Sequence, residues 1–344
     1  NPAYRLAVLS ALAAAGAVAL LFGSVRRRSG VWAGLAAAAV WAFSAPLWKF
    51  ALLQEKYALH ALFASALFLL SEGERSSIWR RARLSGLLIG LGLVNHQSLL
   101  FWLPGLFLLW RRSMPPVRAM LPWIGAGLSL YAFLWIRLGA LGPALSTALR
   151  SQYGMGTMFS GFAGTMTSGL LLWALKTWAE AVSLPAAAAA VVGAVMAWRE
   201  ERLRAAGLLL GSILAGPVFI MLSRFDPSNW VARSVLEPAF LLPALVAAVF
   251  AGEAVGRLKA GAPWACLALV VGAFALRSPL CERRDDFLAY DYARNLRRAV
   301  PPGGALLAGG DTALFGQRWL DLTEPRMPAR EVAGAGLTDA GPWL

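Results

Sequence analysis

Residues 84–110 read LSGLLIGLGLVNHQSLLFWLPGLFLLW. A helix needs about 20 apolar residues to cross a bilayer, so this stretch is too long for one span. Interrupted at Asn95-His96-Gln97, it divides into two short apolar segments, 84–94 and 97–110. Further apolar runs lie on both sides, at 6–25, 31–50, 57–71, 118–137, 168–198, 204–222, 236–255 and 262–276. They are long and continuous rather than alternating, which argues against an outer-membrane-type barrel. The pattern predicts an all-α polytopic membrane protein, a multispan helical bundle.

Composition points the same way. Of 344 residues, 58% are apolar and only 15% are charged, against roughly 25% charged in a typical soluble domain. No single soluble core absorbs that surplus, so a soluble enzyme, a disordered tail and a disulfide scaffold are excluded. A net charge of +14 would suggest nucleic acid in a soluble chain. Here the arginines sit in short loops, where they set topology, and no nucleic-acid partner is expected. Cys266 and Cys281 lie in or beside one apolar segment without zinc-like spacing, and the two histidines lie in no ligand cluster. Neither a structural disulfide nor a protein-bound metal site is predicted.

Loop charges give the orientation. One set of loops, at 26–28, 75–83, 111–118, 199–204 and 257–259, carries fifteen basic residues. The opposite set carries five: Lys56, Arg137, Arg150, Arg224 and Arg233. The alternation holds only if 84–94 and 97–110 form a hairpin whose two ends both open to the basic side. The basic loops are then cytoplasmic, and both termini lie outside, as in a multi-pass protein of a bacterial inner membrane. The cluster Arg26–Arg28 follows the first apolar run instead of preceding it, so 6–25 reads as a span and not as a secretory signal.

Within 168–198, Lys176, Glu180 and Pro185 suggest an amphipathic helix at the interface followed by an Ala-rich span. The pairs Gly86/Gly90 and Gly207/Gly211 predict close helix packing. Prolines 46, 104, 122, 217 and 243 predict kinks. The transmembrane domain is placed at 1–277, with about nine to ten membrane segments, and a soluble domain at 278–344. In the latter, ERRDDFLAYDYARNLRRAV (282–300) has helical spacing along Phe287, Tyr290, Ala293 and Leu296, or along Leu288, Tyr292 and Leu296. Pro301-Pro302-Gly303-Gly304 stops it, and ALLAGGD reads as a strand ending at Asp311. This is the start of a small extracytoplasmic α/β domain, expected to be incomplete at Leu344.

Polar groups inside apolar sequence are costly and tend to mark sites or pathways. Lys49, Lys56 and His60 fall seven and four residues apart and are predicted to share a helical face. An interfacial turn with snorkelling lysines explains them equally well. Asn95-His96-Gln97 is either a self-satisfied helix break or the polar floor of an outward cavity. Arg224 and Arg233, in the outer loop SRFDPSNWVARSVLE (223–237), have the chemistry to grip a lipid-linked phosphate or to pair with Asp226 and Glu237. Glu55, Asn95, His96 and Arg224 are expected to line one outward-facing cavity.

Four blocks resemble, in order, one bacterial and animal membrane family: NPAYRLAVLSALAAAGAVALLF (1–22), PLWKFALLQEKYAL (46–59), GLLIGLGLVNHQSLLFWLPGLFLL (86–109) and GGDTALFGQRWLDLTEPRMPAREV (309–332). Its animal member is the transmembrane protein O-mannosyltransferase of plexin-type domains, in the GT-C class of glycosyltransferases. The resemblance implies a GT-C-like bundle. It places Trp48, Glu55 and Tyr57 in a family tryptophan-then-glutamate-tyrosine block, Asn95 and His96 at the asparagine-histidine break, and Asp311 at the strand end. Lys56 departs from the family, which has a small apolar residue there.

The implied activity is transfer of a mannose-like sugar from a polyprenyl-phosphate donor to an extracytoplasmic protein hydroxyl. Membrane lipid and a protein acceptor are the implied partners, and a divalent cation is left open. Substrate-binding candidates are Glu55, Lys56, Tyr57, Asn95, His96, Arg224, Arg233 and Asp311. Family members carry an acidic motif in a first outer loop, so the catalytic carboxylate is expected upstream of Asn1, with Glu55 as the fallback. The 344-residue chain alone is therefore expected to bind donor without turnover. Two other classes compete with this reading. A transporter or lipid flippase would explain the spans and kinks, but no internal repeat is seen. A non-catalytic scaffold would leave the polar break without purpose.

Overall fold

The segment LLPALVAAVFAGEAVG, Leu241–Gly256, is apolar on every face, and such a helix needs neighbours all round. It has them: every residue from Leu241 to Glu253 is buried. Glycines let the neighbours close in. A β-carbon on Gly252 would stand 2.5 Å from the Ala33 carbonyl oxygen, and one on Gly256 would stand 2.7 Å from that of Ser29. From the other side, Gly193 lies directly against the Phe250 backbone.

A computed structural model describes residues 2–53, 55–72, 77–148, 168–223, 236–281, 288–301, 305–309, 316–317, 319–321 and 331–335. Two compact units result, Pro2–Cys281 and Glu282–Leu344. The first contains α1 (Pro2–Ser29), α2 (Val31–Ala42), α3 (Ala45–Leu52), α4 (Tyr57–Ser71), α5 (Ile78–Asn95), α6 (Leu99–Trp110) and α7 (Val117–Leu128). It continues with α8 (Ala132–Leu138), α9 (Leu141–Ala148), α10 (Ser168–Val182), α11 (Leu184–Glu200), α12 (Arg202–Ile213), α13 (Phe219–Ser223), α14 (Leu241–Gly256) and α15 (Ala262–Cys281). α14 packs against α2, α11 and α12, while α1 packs on α2 and α4, and α5 on α7.

Among the described residues five helices are long and apolar enough to cross a membrane, or up to seven if each sharply bent pair counts as one. α4 and α6 are apolar but shorter. The chain is a multi-pass integral membrane protein.

The breaks follow the prolines. The apolar run 31–50 is not one straight helix: it bends by 62° between α2 and α3, where Ser44 leaves helical backbone and Pro46 starts the next turn. The α10–α11 pair bends by 104° at Ser183, whose φ is +79°, just before Pro185. Pro217 sits in a π turn, Leu214–Val218, that lengthens α12 without ending it. Gly139, with φ +69°, ends the span of α7 and α8 by donating its N–H to Trp135.

The expected small-residue contacts are present. A β-carbon on Gly86 would lie 2.5 Å from the Met120 carbonyl oxygen, and Gly90 abuts Ile124 and Gly127 of α7. Gly207 meets Gly105 of α6, and Gly211 seats the Trp102 ring. The hairpin is also seen. α5 and α6 turn at His96–Ser98, and their far ends meet where Arg81 donates at 3.2 Å to both the hydroxyl and the carbonyl of Ser113.

The second unit holds α16 (Leu288–Ala299) and two parallel strands, β1 (Ala305–Gly309) and β2 (Glu331–Ala335), with Ala305 opposite Glu331. Of the two candidate stripes, the one through Tyr290 and Ala293 faces inward, and Tyr292 is exposed. Arg297 continues that inward stripe. It donates to the Gln317 side chain at 3.0 Å and backbone at 2.8 Å, and it pairs with Asp321 at 2.5 Å.

Candidate functional site

Two polar clusters lie at opposite ends of α4. At its start, the turn that carries Glu55, Lys56 and Tyr57 meets the break between α5 and α6. Leu53 is extended, with ψ 148°, so α3 ends there and α4 begins at Tyr57. Lys49 and Lys56 therefore do not share a helical face, which corrects the sequence expectation. Lys49 sits in α3 and forms an ion pair with Glu237. Lys56 and His60 do belong to one turn, since the His60 N–H donates to the Lys56 carbonyl at 3.0 Å.

Each residue of the polar break has a defined partner. Asn95 donates through Nδ2 to the Lys56 carbonyl at 3.1 Å, tying the break to the turn before α4. Gln97 donates to the Ala148 carbonyl at the end of α9. His96 leaves helical backbone, with φ −156°, and its Nδ1 accepts the Ser98 N–H at 3.2 Å. The Ser98 hydroxyl lies 2.6 Å from the same nitrogen and 3.4 Å from Nε2 of His60.

Rings pack around this junction. The Tyr57 and His96 centroids are 5.2 Å apart, those of His60 and His96 are 5.4 Å apart, and Phe50 lies 4.6 Å from Tyr57. The Lys56 ammonium stands 5.4 Å from the Tyr57 ring centroid, within cation–π range.

Of the predicted site residues, the structure brings Lys56, Tyr57, Asn95 and His96 together. Glu55 occupies the same turn and is exposed. Arg224, Arg233 and Asp311 lie outside the described residues, as does Asp226. His60 and Ser98 complete the cluster although neither was among the candidates. The signal for His60 was available in its position four residues after Lys56. Among the described residues no group of three His, Cys, Asp or Glu side chains able to hold a metal ion is found.

The second cluster was missed outright. Just past α4, Glu72 pairs with Arg204 at 2.7 Å and with Arg28 at 3.5 Å. Arg204 also reaches Glu253 of the central helix at 2.6 Å. Arg28 pairs with Glu201, and Arg257 with Glu200. The Glu200 carboxylate beside it holds the Arg257 guanidinium above its ordinary value. A cavity of about 570 Å³ opens beside this network, lined by Arg28, Ser29, Glu200, Glu253, Gly256 and Arg257. The readable signal was Glu253, a lone acid in an otherwise apolar span. These pairs join loops 26–28, 199–204 and 257–259, so three of the five basic loops meet at one end.

Comparison with known proteins adds a likeness over the first third of the chain. The model of the TMEM260 protein O-mannosyl-transferase N-terminal domain matches residues 1–114, a stretch that includes the entire Lys56–His60 and Asn95–Ser98 junction. The mouse (Mus musculus) protein O-mannosyl-transferase TMEM260 is 26% identical over 372 aligned residues, covering 95% of this chain and 52% of that protein. The chain thus spans about half the length of this curated relative. Among solved structures, that of ArnT from Cupriavidus metallidurans in the apo state superposes with a TM-score of 0.53 at 15% identity, over 99% of this chain and 80% of that one. That likeness concerns the fold. In sequence the chain is similar to the TMEM260-type protein O-mannosyltransferases, by the family model over its first third, and in fold it is a GT-C-like bundle of membrane helices.

Proposed function

We propose that this chain is the membrane part of a glycosyltransferase that moves a mannose-like sugar from a polyprenyl-phosphate donor to an extracytoplasmic protein hydroxyl. The observation that carries the reading is the junction of the Lys56–Tyr57 turn with the Asn95–His96 break, inside the region matched by the family model. The mouse relative's name supplies the sugar and the acceptor class.

In this reading the junction faces the extracytoplasmic side and the donor's phosphate binds against it. Lys56 supplies the positive charge that offsets the leaving phosphate. Tyr57 and His96 wall the position, and Asn95 holds the two turns in register. The bond between the sugar's anomeric carbon and the phosphate oxygen breaks, with its electron pair remaining on phosphate. The acceptor oxygen bonds to that carbon, and its proton passes to a carboxylate. Among the described acids at this end, Glu237 is engaged by Lys49, whereas Glu55 stands in the binding turn itself. Glu55, the fallback acid of the sequence reading, is the proposed base, so in this reading, unlike that expectation, the chain turns over donor by itself.

The test is reconstitution of the chain in liposomes with undecaprenyl-phosphate mannose and a folded acceptor domain. Hexose addition to a serine or threonine, read by intact-protein mass spectrometry, supports the reading. Absence of donor binding by the reconstituted chain overturns it.

A further inference from the structure

We propose that His60 is a positioning residue which, through the Ser98 hydroxyl, holds His96 as a neutral imidazole with its proton on Nε2. The proposal rests on the reading of this junction as a donor site, but its chemistry stands on the hydrogen-bond geometry alone.

The direction of the chain follows from one fixed donor. A backbone N–H only donates, so the Ser98 N–H, 3.2 Å from His96 Nδ1, requires a lone pair on that nitrogen. The ring proton of neutral His96 is then on Nε2. The Ser98 hydroxyl, 2.6 Å from the same lone pair, donates its own proton there. Its oxygen is left as an acceptor, and the group facing it is Nε2 of His60 at 3.4 Å. His60 therefore carries its proton on Nε2.

Burial reinforces this assignment. His60 is 3% exposed, and its Nδ1 has no hydrogen-bond partner among the described residues. A proton on Nδ1 would bury an unmet donor and turn Nε2 into a second acceptor facing Ser98. The hydroxyl would then have to abandon one imidazole. Buried N–H groups are left without a partner more rarely than buried acceptors are.

The sequence order runs His60 Nε2–H to Ser98 Oγ, then Ser98 Oγ–H to His96 Nδ1. Both rings are neutral, and the charge of the junction rests on Lys56. His60 lies one turn after Tyr57 on α4, so a single helical turn fixes His96 from two sides, by ring contact and by hydrogen bond.

The test is ¹⁵N NMR of the full chain, labelled at histidine and held in lipid nanodiscs. The chain has two histidines, so His60→Leu leaves His96 as the sole imidazole. The unaltered protein is expected to show two neutral rings protonated on Nε2. His60→Leu should move the His96 Nδ1 resonance toward that of a nitrogen with a weakened hydrogen bond. His60→Gln, whose side-chain N–H can reach the Ser98 hydroxyl, should restore it. Ser98→Ala should release His60 into a mixture of tautomers, and it serves where His60→Leu fails to fold. A His60 protonated on Nδ1, or a His96 spectrum identical with and without the His60 imidazole, overturns the proposal. Undecaprenyl-phosphate binding is measured on the same samples. Loss of binding by the unaltered chain overturns the donor-site reading, while the spectra still decide the relay.

Discussion

His60 and His96, the chain's only histidines, stand with ring centroids 5.4 Å apart, one on α4 and the other in the break between α5 and α6. Their meeting pins the start of α4 to the break between α5 and α6. Tyr57 and Asn95 add a ring contact and a hydrogen bond across the same junction. Four side chains from two short sequence blocks therefore define one place at one end of the bundle.

If that place binds a lipid-linked phosphate, Lys56 is its cation. Lys56→Met should weaken undecaprenyl-phosphate binding about tenfold, or ~1.4 kcal/mol. Lys56→Arg should retain most of the affinity, since the charge persists. Titration of purified chain in nanodiscs reads both. Equal affinity for Lys56→Met and the unaltered chain would place the phosphate elsewhere.

Glu55→Gln separates chemistry from binding. It removes the proposed proton acceptor and keeps the side chain's size. Transfer should fall by about 10²-fold or more, with donor affinity unchanged. A variant that binds more weakly yet turns over normally would show that Glu55 holds substrate and moves no proton.

Much of the bundle was legible because its signals are local. Run length marked the apolar helices, although five to seven of them among the described residues, not nine to ten, are long enough to cross a membrane, and the polar triplet Asn95–Gln97 marked the hairpin that Arg81 and Ser113 close. Gly86, Gly90, Gly207 and Gly211 announced the close packing they make. The failures concern pairings that sequence spacing does not encode. The seven-residue spacing puts Lys49 and Lys56 on one face, but the extended backbone at Leu53 separates them. The arginines at 28 and 204 read as topology signals, which conceals that acids on two other segments, Glu72 and Glu253, meet them. In the second unit, Arg297 fills an inward position that a charged residue does not advertise.

Packing between α5 and α7 tolerates no side chain at Gly90, which abuts the Ile124 carbonyl and Gly127. Gly90→Val should lower the thermal unfolding midpoint in detergent, at a cost of about 1–3 kcal/mol or more. Gly125→Ala on α7 is the control, because a β-carbon there meets nothing within 4 Å. Similar midpoints for the two variants would contradict the observed helix approach.

Orientation is open to direct labelling. In a background lacking Cys266 and Cys281, cysteines placed at Glu55 and Arg80 should react from opposite sides of the membrane. The fifteen-to-five asymmetry of basic residues puts Arg80 in the cytoplasm and Glu55 outside. Labelling of both from outside would invert the proposed access of the acceptor to the Lys56 turn.

The buried ion network at the other end of α4 should carry stability in proportion to burial. Arg204 is 8% exposed and faces Glu72 and Glu253, the latter 1% exposed. Arg204→Met leaves two carboxylates beside each other, with Glu253 reached, among the described residues, only by Arg28 at 3.8 Å and Arg257 at 3.9 Å. Removing one partner of a buried pair strands the other charge, a loss of about 3 kcal/mol. Arg28 is one-third exposed and shares Glu72 and Glu253 with Arg204, so Arg28→Met should cost at most about 1 kcal/mol. Adding Glu253→Leu to Arg204→Met takes away the stranded charge and should recover part of the loss. Thermal unfolding of the three variants in one detergent compares them. If Arg28→Met destabilises as much as Arg204→Met, or if Glu253→Leu deepens the loss, then the network does not act through desolvated charge. Helix packing around α14 would then be carrying the stability that these pairs are assigned.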